Sequence, residues 1–307
     1  MPPRPPLSVV PVRTSRRRVP LDLVRGGLIG CAEVVPGVSG GTIALVTGVY
    51  GHLIDSAGHV LGAARAGLTA GPRAARDRLR RAHWAVLIPV MVGMVVALLV
   101  ATTVLEPVVT EHPVGSRGVF FGLVLASVIV PLRMVSRWSP ARLATTGAVA
   151  VAAFVLTGLP AGSVSDPPLV LVAAAAAVAV CALVLPGVSG SFLLLTLGLY
   201  EVTLAAVSER DLAFLGAFVL GAVIGLGSVV RVLQHLLLRH ADQTLSVATG
   251  LMLGSLRALW PWQADDRTLL VPGSDLVTVA ALALAGAAGV VLLLLVQSRA
   301  EQGSGRA

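Results

Sequence analysis

Apolar residues in this chain run in long stretches, and the short segments between them carry most of the charge. Six stretches, 83–105, 119–135, 143–159, 212–238, 245–260 and 276–296, approach or exceed the ~20 residues a helix needs to cross a bilayer core. They read as transmembrane helices. Two further apolar regions, 21–56 and 168–207, are interrupted near their middles by Pro-Gly. Proline removes a backbone donor and crowds the preceding turn, and glycine lets the chain leave helical geometry, so each region predicts helix, break, helix. The arms are too short to span alone at ~1.5 Å per residue. A re-entrant hairpin, entering and leaving on one side, fits them better than two crossings.

The two breaks are copies of one decapeptide. CAEVVPGVSG fills 31–40 and CALVLPGVSG fills 181–190, differing only where Glu33 corresponds to Leu183 and Val35 to Leu185. Each runs into a second apolar arm ending G-x-Y, GTIALVTGVY at 41–50 and SFLLLTLGLY at 191–200. A further pair, FGLVLASV around Gly122 and TGLMLGSL around Gly250, extends the duplication. The unequal spacing is taken up by the arginine-rich segment 57–83, expected to be a loop. One hairpin plus three crossings is an odd number of passes, so the second half would start on the opposite side of the membrane. The predicted fold is an all-α integral membrane protein with an inverted-topology repeat, each half a re-entrant broken-helix hairpin plus three transmembrane helices. Residues 1–20 read as a disordered basic cytoplasmic tail, 21–160 as the first membrane repeat, 161–297 as the second and 298–307 as a cytoplasmic tail.

Composition agrees: 56% of residues are hydrophobic and 12% charged, with a mean hydropathy of +0.89. A net charge of +8 could suggest nucleic acid, but the arginines lie between apolar spans rather than on one face of a folded domain. Of the 23 basic residues, none of them lysine, all but Arg117, Arg210, Arg257 and Arg267 fall on the side of the N-terminus. That is the positive-inside asymmetry of a cytoplasmic membrane protein, with the bilayer and not nucleic acid as partner. Trp84, Trp138, Trp260 and Trp262 all fall at span ends. Two cysteines make no disulfide framework, and His52, His59, His83, His112, His235 and His240 show no spacing that converges on a metal. The histidines are assigned to interfaces, and no cofactor or metal is expected. No G-x-S-x-G, P-loop or HExxH pattern is read in the chain, and no catalytic residues are assigned.

The chemistry is expected at the breaks. Each second arm begins where backbone N–H groups lack partners and the helix dipole is positive. Ser39 with Thr42, and Ser189 with Ser191, add hydroxyls there, while Gly37, Gly40, Gly41, Gly187 and Gly190 let a ligand approach the backbone. Such an end suits a phosphate or carboxylate; the same residues would equally serve as N-caps and packing sites. Glu33, three residues before Pro36 at membrane depth, is a candidate for proton coupling or for a salt bridge with Arg25. Glu201 is a second, more interfacial acid. Arg231 and Arg257 lie within apolar spans, where each could assist a phosphate or simply snorkel.

The twin PGVSGG and PGVSGS breaks, the G-x-Y ends and the late span running into LWPW resemble the bacterial polyprenyl-phosphate transporter family, PopT-type, long known only as a domain of unknown function. The resemblance covers nearly everything from 21 to 296. It implies return of undecaprenyl phosphate, the lipid carrier of envelope-polymer synthesis, from the outer to the inner leaflet. Members of that family commonly carry an acid after the first G-x-Y; here Gly51 follows Tyr50, whereas Glu201 does follow Tyr200, which moves the coupling assignment to Glu33. From the residues alone two other readings stay open: a carrier or channel for a small anion, and an integral-membrane lipid-phosphate-modifying enzyme.

Overall fold

A computed structural model describes residues 19–34, 39–159, 162, 164, 166–187, 189–264 and 266–304. Gly37, most of the basic N-terminal tail and the last three residues lie outside the described residues. Among those described, helix is nearly the whole secondary structure, and the one extended pairing is a single bridge between Gln263 and Leu269.

The first broken region is three helices rather than two. Helix α1 (Val19–Val34) leads into the break, α2 (Gly40–Val46) leaves it, and α3 (Tyr50–Thr69) follows a second turn. The reason is Gly48, which sits at φ +76. Its N–H donates to the carbonyl of Leu45 and that of Val49 to Ala44, a glycine-terminated helix end that the G-x-Y sequence encodes. The second copy repeats this bond for bond. Helix α9 (Leu169–Val184) meets the break, and α10 (Gly190–Thr196) stops at Gly198, φ +74. The Gly198 and Leu199 N–H groups donate to Leu195 and Leu194, and α11 (Tyr200–Glu209) begins at the matching tyrosine.

The segment 57–83, expected to be a loop, is helical. Alanine-rich sequence carries α3 on to Thr69, and Gly71 at φ +90 followed by Pro72 ends it and starts α4 (Pro72–Leu79). Helix α5 (Trp84–Glu111) leaves α4 at a 76° bend. Then come α6 (Pro113–Ser127), α7 (Ile129–Met134), α8 (Pro140–Leu156), α12 (Leu212–Arg239), α13 (Ala241–Ser255) with a 3-10 turn at Leu256–Leu259, and α14 (Leu276–Ser304). By length and composition α6–α7 together, α12 and α14 can cross a membrane, and α4 with α5 forms a fourth candidate. Helix α8, at 17 residues, and α13, at 15, are shorter than the ~20-residue norm.

Four helix pairs make the bundle: α1 on α5, α9 on α12, α6 on α14 and α8 on α13. Each is tight because glycines four residues apart let backbones touch. A methyl group on Gly26 or Gly30 would lie 2.0 or 2.3 Å from the carbonyl oxygen of Val90 or Met94. Gly221 and Gly225 meet Ala173 and Ala177 in the same way, Gly118 and Gly122 meet Val279 and Ala283, and Gly250 and Gly254 meet Thr146 and Ala150. In lipid, where apolar burial gives helices no reason to associate, such close approach supplies the packing energy. The outward faces bear apolar residues such as Val151, Leu220, Ile224 and Leu284. All four indole N–H groups find acceptors, on Leu79, Leu132, Leu270 and Asp275.

Candidate functional site

The two breaks touch, and the hydrogen bonds run across them. The Ser39 hydroxyl donates to the carbonyl of Leu185 at 3.2 Å, and the Gly187 N–H donates to the Thr42 hydroxyl at 2.9 Å. The Tyr50 hydroxyl donates to Val184 at 2.9 Å. Three side chains of the first copy thus serve backbone groups that the proline and glycine of the second copy leave outside helical bonding. Ser39, Thr42 and Tyr50 are all buried. Gly41 is needed for the approach, because a methyl group there would sit 3.2 Å from the carbonyls of Leu183 and Val184. Gly187, at φ +87, lies against the backbone of Met252, 2.6 Å from where its own Cβ would stand.

Glu33 caps its own break. Its carboxylate accepts from the Gly40 N–H at 3.0 Å, so the donor that starts α2 is already occupied by an acid of the same chain. Arg25 does not pair with it; Arg25 pairs with Asp22 at 2.8 Å. Contrary to the reading of the sequence, residues 37–41, GVSGG, do match the G-x-S-x-G spacing of a serine nucleophile. Ser39 spends its hydroxyl on the Leu185 carbonyl instead. Activation would require a neighbouring base.

The second break is built differently. The Ser189 and Ser191 hydroxyls lie 2.9 Å apart and hydrogen-bond to each other. Ser189 and Gly187 line a cavity of about 110 Å³, together with Thr157, Thr196, Leu251 and Ser255. Gly190 packs behind it, where a methyl group would stand 2.6 Å from the carbonyl of Ala179. At the rim, Arg267 donates to the carbonyl of Leu159 at 2.6 Å and to the Thr196 hydroxyl at 3.1 Å. Arg257 stands behind it, over the Phe154 ring at 5.1 Å and within 3.4 Å of the Arg267 carbonyl. Arg257 makes no ion pair among the described residues, and its Nε and Nη1 are buried without a hydrogen-bond partner. Partial burial, then the Arg257 charge, push the Arg267 guanidinium below its ordinary value, a sign that the two cations crowd each other.

Other expected residues lie elsewhere. Arg231 is exposed on α12 and lines neither this cavity nor the apolar one beside the breaks. Glu201 sits in the first turn of α11, on an acidic hollow with Asp166, Glu209 and Asp211. Arg267 was not singled out from sequence. No sequence pattern marks it; in the structure it takes a positive φ of 64, beside hydrogen bonds from the Ala264 N–H to the Thr268 carbonyl and from the Leu270 N–H to the Trp262 carbonyl. Three histidines treated separately converge with one aspartate: Asp55 lies 3.1 Å from His83 and 3.5 Å from His59, and His52 meets His83 edge to face. No group that could hold a metal occurs among the described residues.

Residues 29–272 match the family model described as VCA0040-like, undecaprenyl phosphate translocase-like. A polyprenyl-phosphate transporter of Vibrio cholerae serotype O1 is 37% identical over 244 residues, covering 78% of this chain and 77% of that one. A polyprenyl-phosphate transporter of Staphylococcus aureus is 27% identical over 260 residues, covering 78% of this chain and 86% of its own. No solved structure matches the chain. The chain is therefore a helical membrane protein that belongs to the VCA0040-like, undecaprenyl phosphate translocase-like family.

Proposed function

We propose that this protein carries undecaprenyl phosphate, or a close polyprenyl phosphate, from the outer to the inner leaflet of the bacterial cytoplasmic membrane. The substrate class comes from the names of its relatives. The observation that carries the reading within this chain is the cavity at the second break, lined by Ser189, Thr196 and Ser255 with Arg267 at its rim. Hydroxyls and guanidinium N–H groups in an apolar bundle suit a phosphate, which accepts several charge-assisted bonds at once. In this reading Ser189, Ser191, Arg267 and, one layer back, Arg257 receive the phosphate. Ser39, Thr42 and the first-break glycines hold the second break in shape.

The reading includes an inverted repeat with two re-entrant elements meeting at the midplane, and both termini in the cytoplasm. Its support is the matched glycine-terminated ends at Gly48 and Gly198 and the exchange of partners, α1 on α5 answering α9 on α12 and α6 on α14 answering α13 on α8. The side of the membrane rests on the arginine distribution. A potential negative inside opposes inward movement of an anion by about 2.3 kcal/mol per charge per 100 mV, so a proton moving with the lipid would offset one charge. Glu33, at the crossing of the breaks, is the group assigned to that proton.

The test is movement of labelled undecaprenyl phosphate between leaflets of proteoliposomes, with and without a proton gradient. Protein-dependent movement that Arg267→Gln abolishes is expected. No movement under any gradient would overturn the reading, and uptake of inorganic phosphate in its place would make this a small-anion carrier.

A further inference from the structure

On the other side of the same break lies a second, larger cavity, and no arginine stands at its walls. It measures about 400 Å³ and is walled by Leu45, Leu185, Pro186, Leu236, Ala248 and Leu251. Its polar side chains stand at its margins: Tyr50, whose hydroxyl is committed to Val184, and His240, Gln243 and Thr244 where α12 passes into α13. His240 and Gln243 are exposed, which puts the mouth at that end of the bundle. A phosphate deep in this chamber would meet no arginine and lose its hydration largely uncompensated. A hydrocarbon chain would lose nothing.

The two cavities stand back to back. Pro186 lines the larger and Gly187 the smaller, and Leu251 borders both. Leu251 thus stands between a small cavity that has Arg267 beside it and a larger one that has only apolar walls and no arginine. That is the division within the proposed cargo itself, a phosphate on an isoprenoid chain.

We propose that the apolar chamber between α2, α12 and α13 is the binding site for the isoprene units next to the phosphate, with Leu251 as the side chain displaced when the lipid joins the two cavities. This deepens the transport reading above and rests on it for the lipid class. It assigns chain-length and isoprenoid preference to residues that carry no charge and touch no phosphate.

The test uses the whole protein in proteoliposomes with a polyprenyl phosphate carrying a photoreactive group in its phosphate-proximal isoprene units. Cross-links are expected within residues 233–251, and excess unlabelled undecaprenyl phosphate should compete them away. In parallel, Ala248→Phe, which fills the chamber, should lower undecaprenyl phosphate movement by about tenfold or more, corresponding to one step of ~1.4 kcal/mol. Movement of a phosphate on a much shorter isoprenoid should fall far less. The inference is overturned if the lipid moves but cross-links only to outward faces such as that of α14, or if the filled variant, still folded, slows both lipids alike. Failure of the transport reading would look different: no lipid movement at all in the unaltered protein.

Discussion

The two copies of the decapeptide are nearly identical in sequence and differ in what their side chains bond to. In the first, Ser39 and Thr42 are buried and turned toward the other copy, and Glu33 closes the start of α2. In the second, Leu183 stands where Glu33 would be, and Ser189, buried as well, borders a cavity while bonding to Ser191. A helix start capped by its own acid is a poor host for a second anion, because like charges compete for the same donors. Duplication therefore does not mean two equal half-sites. In the proposed reading one copy supplies framework and the other the surface the phosphate meets, and the acid-to-leucine difference marks which is which.

The strongest challenge to that division is Gly187→Ala. The position needs a left-handed backbone, and the added methyl group would press on Met252. Strain and overpacking together predict a loss of roughly 3 kcal/mol or more and little folded protein, read as thermal stability in detergent. If this variant folds normally, the interlock is not what holds the second break. Next in size is a paired comparison. Thr42→Val leaves the buried Gly187 N–H without its acceptor and should cost about 1–3 kcal/mol of stability, while transport per folded molecule changes little. Ser189→Ala with Ser191→Ala should do the reverse, keeping stability and lowering lipid movement about tenfold or more. Equal effects of the two on transport would erase the distinction between the copies.

Much of this was legible in the amino-acid sequence. The repeat, the Pro-Gly breaks and the apolar spans follow from composition and from what proline and glycine do to a helix. Three things did not follow. The seven-residue helices α2 and α10 end at Gly48 and Gly198, but a lone glycine inside an apolar run reads the same whether it packs or turns. The glycine pairs at 26 and 30, 118 and 122, 221 and 225, and 250 and 254 are scattered among 33 glycines, and only the partner backbones reveal that they are contacts. Arg267 looked like an external loop residue because its partners, Leu159 and Thr196, are far away in sequence. In each case the missing information was tertiary.

Glu33→Gln tests the acid that separates the copies. The amide oxygen can still accept from the Gly40 N–H, so stability should hold. Lipid movement should continue but lose its response to a proton gradient. An unchanged gradient response would remove Glu33 from coupling and leave it as a cap only.

The smallest expected effect concerns the turn that presents Arg267. The Asp266 carboxylate accepts from the Thr268 N–H at 2.9 Å and its hydroxyl at 2.8 Å, and those bonds hold it below its ordinary value near 3.8. A carboxyl depressed in the folded state favours that state above its unfolded value and stops doing so as pH falls through the folded one. Acidification from about pH 7 to about pH 5 should therefore leave this turn intact, with amide exchange at Thr268 quickening only below ~3.8. Asp266→Asn should flatten that low-pH step while the hydroxyl-lined cavity keeps its other walls. Loosening of Arg267 already at mildly acidic pH would point to a different titrating group and weaken the case that this turn alone aims the arginine at the second break.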